Sequence, residues 1–195
     1  SYCHFIWYYV CWIFIIRSRN MDSHISMNII PHLFLDIDGV LNSIEYYLVR
    51  VDTPNDEGID KHSISLFNLL LKEIPNLQIV ISSSWRKMHP IEYIKDCLER
   101  HGFKHSKNII DYTPSLHTIR GLEIQDYCKR YDIVNYAIID DDRDMLPEQL
   151  LRFVHINGMP GLTIFDVLKV IGIFDKDNEL YKDLDFYLTL KGVGI

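Results

Sequence analysis

Several common signatures are missing from this sequence of 195 residues. Its four cysteines show no CxxC spacing and no other metal or disulfide pattern, which favours a reducing, cytoplasmic compartment. No GxxxxGKS or GxxxxGKT segment occurs, so the chain carries no P-loop kinase site. There is also no internal repeat and no low-complexity segment. The length and the hydrophobic fraction of 48% suit one globular domain with some excess at its ends.

Basic residues are not in excess either. The net charge of −7 argues against a broad surface that coats nucleic acid. Two short segments hold six of the 27 Asp and Glu residues, and the remaining 21 nearly balance the 20 Lys and Arg. The acidity is therefore local, and it does not exclude a nucleic acid that presents only its phosphorylated end. The six carboxylates are Asp36, Asp38, Asp140, Asp141, Asp142 and Asp144.

An apolar run at residues 5–16 is too short to span a bilayer, which needs about twenty residues. It is compatible with the end of an anchor, with a signal-peptide core, or with sequence translated upstream of the true start. We expect residues 1–26 to be dispensable or non-native, with no stable membrane insertion of the domain. Residues 27–174 then form the domain, and 175–195 form a C-terminal extension.

Strand and helix patterns alternate from residue 30 onward, which predicts an α/β fold with a five-stranded parallel sheet covered on both sides. Cys97 and Cys128 fall on apolar helix faces and are expected to be core residues. Thr163 and Asp166 form a capping-box-like helix start. The predicted strands are 32–37, 77–82, 107–110, 136–140 and 152–156, and the predicted helices are 62–74, 90–101, 120–131 and 163–172.

Polar residues follow three of these strands at their carboxyl ends, which is where open parallel sheets bind ligands. Asp36 and Asp38 follow the apolar run 33–35, and three serines follow the second strand. The acidic segment 140–144 begins at the last residue of the fourth strand. Carboxylates held this close repel one another unless a cation offsets them, and a divalent metal is the simplest offset. Taken alone, the first pair also fits a solvated Asp-Gly turn.

The same segments resemble the haloacid dehalogenase (HAD) superfamily of phosphohydrolases over about residues 30–172. DIDGVLN at 36–42 matches the first motif, SSSWR at 82–86 the second and IIDDDRD at 138–144 the fourth. Arg120 best matches the basic third motif, where the superfamily usually has Lys, and Lys129 is the alternative. With RGLEI at 120–124 and Gly161-Leu162-Thr163, the chain is most similar to HAD domains of phage and bacterial RNA-repair ("Swiss army knife") proteins.

The resemblance implies a HAD-like Rossmannoid three-layer sandwich and an aspartyl-phosphate mechanism. Asp36 would be the nucleophile and Asp38 the general acid and base. Arg120 would neutralise phosphoryl charge, and Ser83 would donate to a phosphoryl oxygen, although Ser82 and Ser84 stay open as alternatives. The residues implied for Mg²⁺ are Asp36, Asp38 through its backbone carbonyl, Asp141, and Asp140 or Asp144 nearby.

The segments between the motifs leave room for a flap at residues 43–61 but not for a cap domain, so we expect an open site. Ser84, Trp85 and Arg86 are candidate substrate-binding residues; equally, Trp85 and Arg86 would close the strand end and pair with a local Asp. The predicted function is a Mg²⁺-dependent phosphomonoesterase for RNA 3′ ends, with a ligase or kinase partner on a separate chain. The alternatives are a small-nucleotide or phosphoprotein phosphatase and a catalytically inactive HAD-like binding module.

Overall fold

A computed structural model describes residues 30–49, 57–116 and 119–183. These residues form an α/β fold around a five-stranded sheet in which every pairing is parallel, in the order β3-β2-β1-β4-β5. The predicted fold class is therefore confirmed. The strands are β1 (His32–Leu35), β2 (Gln78–Ile81), β3 (Ile109–Tyr112), β4 (Tyr136–Asp140) and β5 (Phe153–His155).

The central strand shows why the sheet is covered on both faces. Successive side chains of a strand point to opposite faces, and β1 is apolar on both. Leu33 and Leu35 belong to the larger core cluster, whereas Phe34 belongs to a second cluster on the other face. The helices are α1 (Ile44–Val49), α2 (Lys61–Glu73), α3 (Ile91–Arg100), α4 (Arg120–Arg130) and α5 (Ile164–Phe174).

The helices divide between the two faces of the sheet. Apolar residues of α2, α3 and α5 are buried in the larger cluster with Leu33, and Ile124 and Tyr127 of α4 pack with Phe34. Local signals set the helix starts: Asp60 caps α2, and Thr163 forms with Asp166 the predicted capping box of α5. The result is a three-layer sandwich whose strand ends share one edge.

The predicted elements are all present; the fourth strand has the predicted bounds, and the ends of the others differ by at most two residues. The largest shift is in the third strand, predicted at 107–110 and observed at Ile109–Tyr112, because Ser106–Asn108 forms a short 3₁₀ helix first. Four short elements of the described chain were not predicted: α1, which buries none of its residues, and 3₁₀ helices at Ser84–Lys87 directly after β2, at Ser106–Asn108 and at Pro147–Arg152. Cys97 is buried as expected, but Cys128 is only partly buried.

The expected N-terminal segment 1–26, the middle of the flap and the end of the C-terminal extension lie outside the described residues. The first part of the extension docks on the domain: a Cβ at Gly172 of α5 would lie 2.2 Å from Cε2 of Tyr181. Among the described residues, no helix is long and apolar enough to cross a membrane.

Candidate active site

The polar segments after β1, β2 and β4 meet at the carboxyl edge of the sheet. The ladder continues one residue beyond β1, where the backbone N–H of Asp36 donates to the Ile139 carbonyl at 3.0 Å. On the other side, the N–H of Ser82 donates to the Leu35 carbonyl at 2.8 Å. The strand ends are therefore in register, and the structure brings together the three clusters that the sequence predicted.

Three carboxylates form the centre of this edge. Asp36, Asp140 and Asp141, called here the carboxylate trio, each place an oxygen within 4.8 Å of the other two. Asp36 and Asp140 are buried, and each accepts one backbone hydrogen bond on Oδ1, from Ile37 at 2.7 Å and from Asp142 at 2.9 Å. Oδ2 of both side chains faces inward, towards Arg120.

Burial, and to a lesser extent neighbouring carboxylates, raise the pKa of every carboxyl in the trio. For Asp36 burial is the main cause and outweighs the opposing effects of Arg120 and the Ser83 hydroxyl. For Asp140 burial and then Asp36 raise the pKa to about 8. Burial and the neighbouring carboxylates also raise the pKa of Asp141. Such a site is short of positive charge, because ionised carboxylates repel one another there.

Arg120, at the start of α4, supplies part of that charge. Its Nη1 lies 3.4 Å from Oδ2 of Asp36 and 3.4 Å from Oδ2 of Asp140. Burial disfavours the guanidinium charge, but Asp36 and Asp140 outweigh this effect and raise the Arg120 pKa. The backbone N–H of Arg120 donates to Oδ2 of Asp144 at 2.8 Å, which fixes the helix start against the acidic segment. The alternative, Lys129, is exposed and bonds Gln125 of its own helix at 2.7 Å.

The trio fits a hard divalent cation. Oδ2 of Asp140 and Nη1 of Arg120 are buried without a hydrogen-bond partner among the described residues. Gly39, at φ +68°, lets the turn after β1 approach so closely that a Cβ there would lie 2.1 Å from Oδ2 of Asp141. An all-oxygen set with an unsatisfied buried acceptor is what Mg²⁺ prefers in proteins. The Asp38 carboxylate is not part of this group.

Asp38 is held separately, by three side-chain partners. Its Oδ1 accepts from Nδ2 of Asn42 and from the indole Nε1 of Trp85, both at 2.9 Å. Its Oδ2 lies 3.0 Å from the Ser84 hydroxyl. An amide and an indole N–H only donate, whereas a hydroxyl donates or accepts. A proton carried by Asp38 therefore belongs on Oδ2, where Ser84 accommodates either protonation state.

The three serines have different surroundings. Ser82 is buried, and its hydroxyl accepts from Thr113 at 3.5 Å. Ser83 is buried at the start of the 3₁₀ helix, where its hydroxyl accepts from the backbone N–H of Trp85 at 3.4 Å and lowers the Asp36 pKa. Ser84 is exposed and contacts Asp38. Ser83 is thus the serine next to the predicted nucleophile, which is the position that the resemblance implied.

The Arg86 side chain is buried beneath the segment of the three serines and is not at the protein surface. The Arg86 guanidinium forms an ion pair with Glu123 of α4, and both side chains are 4% exposed. Arg86 also donates to the Ser83 carbonyl. Trp85 is 8% exposed and contacts Asp38. The predicted substrate-binding role of Ser84, Trp85 and Arg86 stays a prediction, and the contacts of Arg86 favour a supporting role.

Sequence reasoning missed two residues that organise the site. Asn42 positions Asp38, and its Oδ1 also accepts from the backbone N–H of Gly39 at 2.9 Å. Asn42 is the last residue of the first motif, DIDGVLN, and this position was the sequence signal that could have identified it. Glu123 lies one turn after Arg120 on α4, but its partner Arg86 is 37 residues away in the chain, and no local signal joins the two.

The parallel sheet carries a buried aspartate after its central strand and a second aspartate two residues later. An acidic pair stands at the end of a neighbouring strand. This is the site architecture of a HAD-type phosphohydrolase. The family model for the HAD domain in Swiss Army Knife RNA repair proteins matches residues 32–167, and the chain belongs to this family. Comparison with curated proteins and with solved structures gives no match.

Proposed function

We propose that this protein is a Mg²⁺-dependent phosphomonoesterase that removes the 3′-phosphate from RNA ends through an aspartyl-phosphate intermediate. The observation that carries the proposal is the placement of Asp36. Its Oδ2 faces the Arg120 guanidinium at 3.4 Å, beside the carboxylates of Asp140 and Asp141. This is the arrangement that a carboxylate nucleophile for a phosphate group requires, because the phosphate and the nucleophile are both anionic.

In the first step Oδ2 of Asp36 attacks phosphorus, and the bond from phosphorus to the ribose oxygen breaks. Asp38 donates the proton on its Oδ2 to that leaving oxygen. In the second step Asp38 accepts a proton from water, whose oxygen attacks phosphorus and releases inorganic phosphate and free Asp36. The fixed N–H donors on Oδ1 keep Asp38 oriented through both steps. The Ser84 hydroxyl donates to Oδ2 when that oxygen is ionised and accepts from it when it carries the proton.

Asp36, Asp140 and Asp141, with the backbone carbonyl of Asp38, would hold Mg²⁺, which when bound supplies positive charge for the phosphoryl oxygens. Arg120 adds a second positive charge and a planar fork suited to phosphate. Ser83 donates a hydrogen bond to a phosphoryl oxygen. The ion pair of Arg86 with Glu123 keeps the Ser83 loop against α4, so that the loop and Arg120 stay together.

The RNA-end substrate is supported by the family and by the openness of the site. α1 starts beside the loop after β5, where the N–H of Ile44 donates to the Gly158 carbonyl at 3.0 Å, and it buries none of its residues. Gly158 is close to the site, because a Cβ there would lie 3.0 Å from Oδ2 of Asp141. Ser84, which contacts Asp38, is exposed. No domain covers the site within the described part of the chain. An open site suits a phosphate on a large molecule better than a metabolite that must be enclosed.

Phosphate release, measured with and without Mg²⁺, tests the proposal. The substrates are a 3′-phosphorylated RNA oligomer, a 5′-phosphorylated one, mononucleotides and a phosphopeptide. Asp36→Asn removes the nucleophile and abolishes turnover. The matched control is Asp132→Asn, which removes the same charge at the exposed turn after α4, where φ is +53° and Asn is equally tolerated.

We expect Mg²⁺-dependent release from the 3′-phosphate oligomer that Asp36→Asn loses and Asp132→Asn keeps. Release from mononucleotides or the phosphopeptide alone would keep the chemistry and reject the RNA end. If the folded protein released phosphate from none of these substrates, the phosphatase proposal would fail and the binding-module alternative would gain.

A further inference from the structure

A second group of potential metal ligands lies outside the carboxylate trio. Cys97 and His101 are four residues apart, so they lie on one face of α3 and its last turn. Glu57 approaches them from the segment before α2. One ligand atom from each of the three side chains lies within 4.8 Å of the other two. Cys97 is fully buried, and the His101 side chain is 10% exposed.

The imidazole of His101 is oriented as in a metal ligand. Its Nδ1 lies 2.8 Å from the Cys97 carbonyl, and a carbonyl only accepts, so Nδ1 carries a proton. In the neutral ring Nε2 then presents a lone pair. A hydrogen bond from one ring nitrogen to a backbone carbonyl is the usual way in which a metal-bound histidine is held. Here Nε2 points towards Oε2 of Glu57, at 3.8 Å.

The two oxygens of Glu57 are used differently. Oε1 accepts from the Tyr93 hydroxyl at 3.5 Å and pairs with the Arg100 guanidinium. Oε2 is buried and has no hydrogen-bond partner among the described residues. Oε2 of Glu57 therefore presents a buried acceptor towards Nε2 of His101, from a side chain that is 14% exposed.

We propose that Glu57, Cys97 and His101 form a second metal site, selective for a transition-metal ion of the Zn²⁺ class rather than for Mg²⁺. Thiolate, imidazole and carboxylate are the three ligand types that Zn²⁺ takes, whereas Mg²⁺ requires oxygen. Tetrahedral ligands at about 2.1 Å from zinc lie about 3.4 Å apart, close to the Nε2–Oε2 separation of 3.8 Å. As the metal–sulfur bond forms, the Cys97 thiol loses its proton to solvent.

The site would add a metal-mediated link to the ion pair and the long hydrogen bond by which Glu57 already contacts α3. Glu57 precedes α2, and the other two ligands belong to α3 and its end. Arg100 and Tyr93 stay on Oε1, which leaves Oε2 for the metal. Three protein ligands fill three tetrahedral positions, and water completes the fourth. The proposal does not depend on phosphatase activity, because it uses none of the residues of the carboxylate trio.

Co²⁺ spectroscopy of the full chain tests the site, because a Co²⁺–thiolate bond gives a charge-transfer absorption that carboxylate sites lack. Excess Mg²⁺ occupies the carboxylate trio during the titration. The parent protein carries Cys3→Ser, Cys11→Ser and Cys128→Ser, which leaves Cys97 as its single thiol. We expect the absorption to saturate at one Co²⁺ per chain and to disappear when Zn²⁺ is added.

Three variants of this parent identify the ligands. Cys97→Ala should abolish the absorption, and His101→Gln and Glu57→Gln should each weaken Co²⁺ binding by at least about tenfold. Glu92→Gln, at an exposed position of α3, is the matched control and should bind as the parent does.

A folded parent without thiolate absorption would overturn the proposal, and so would a Glu57→Gln variant that binds Co²⁺ as tightly as Glu92→Gln. If His101→Gln fails to fold, Glu57→Gln still decides the question, because Glu57 lies outside the helices and strands.

Discussion

Gly39→Ala tests whether the turn after β1 and the acidic segment after β4 form one metal site. Two costs follow from the structure. The backbone at φ +68° disfavours any side chain by about 1 kcal/mol. The new Cβ would also lie 2.1 Å from Oδ2 and 2.5 Å from Cγ of Asp141, so this carboxylate must move by about 1 Å.

The two costs have different consequences. The end of a side chain moves easily, so the clash adds little to the loss of folding free energy. A displacement of about 1 Å at a catalytic centre, however, can lower the rate about 100-fold. We therefore expect Gly39→Ala to fold, to release phosphate about 100-fold more slowly and to need more Mg²⁺ for half-maximal rate.

Gly102→Ala is the matched control. Gly102 also has a positive φ, of +98°, but a Cβ there would meet nothing within 4 Å. It carries the backbone strain without the clash, so urea unfolding should show a similar loss of stability in both variants. The assay is phosphate release across a Mg²⁺ titration. Equal turnover and equal Mg²⁺ requirement in the two variants would refute the reasoning that Asp141 and the Gly39 turn share one site.

Three further predictions address neighbouring groups. Trp85→Phe keeps an aromatic ring but removes the indole N–H from Asp38, so steady-state kinetics should show a kcat about tenfold lower at an unchanged Mg²⁺ requirement. Arg120→Gln should lose most activity, Arg120→Lys should retain part of it, and Lys129→Gln should match the unmodified protein; the reverse order would restore Lys129 as the third-motif residue. The pKa of Asp140 is raised from 3.8 to about 8, so folding favours its protonated form. Urea unfolding of metal-free protein should therefore show stability falling as the pH rises through this range, and Asp140→Asn should flatten the slope.

The strands and the main helices were predictable because each depends on local pattern. A strand such as β1 is a short apolar run that ends at a pair of carboxylates, and α5 begins with a capping box that the sequence displays. The meeting of Asp36 with the segment after β4 followed from the rule that parallel strands share their carboxyl edge. These parts required no knowledge of which side chains touch.

The contacts between distant segments were not predictable in the same way. Trp85 contacts Asp38 because a 3₁₀ helix turns the chain back directly after β2, and nothing in SSSWR indicates that turn. The pairing of Arg86 with Glu123 replaces the local Asp that the sequence offered as its partner. The choice of Arg120 over Lys129 likewise rests on where α4 begins relative to the acidic segment. Tertiary packing decides each of these cases.

The hydrogen bond from Trp85 to Asp38 also gives the protein a built-in optical reporter. The sequence holds three tryptophans, Trp7, Trp12 and Trp85, so replacing the first two with Phe leaves one indole, in contact with Asp38. Indole emission responds to the charge and hydrogen bonding of its N–H. The fluorescence of such a variant would follow the occupancy and protonation of the candidate active site directly, during a single turnover and without a labelled substrate.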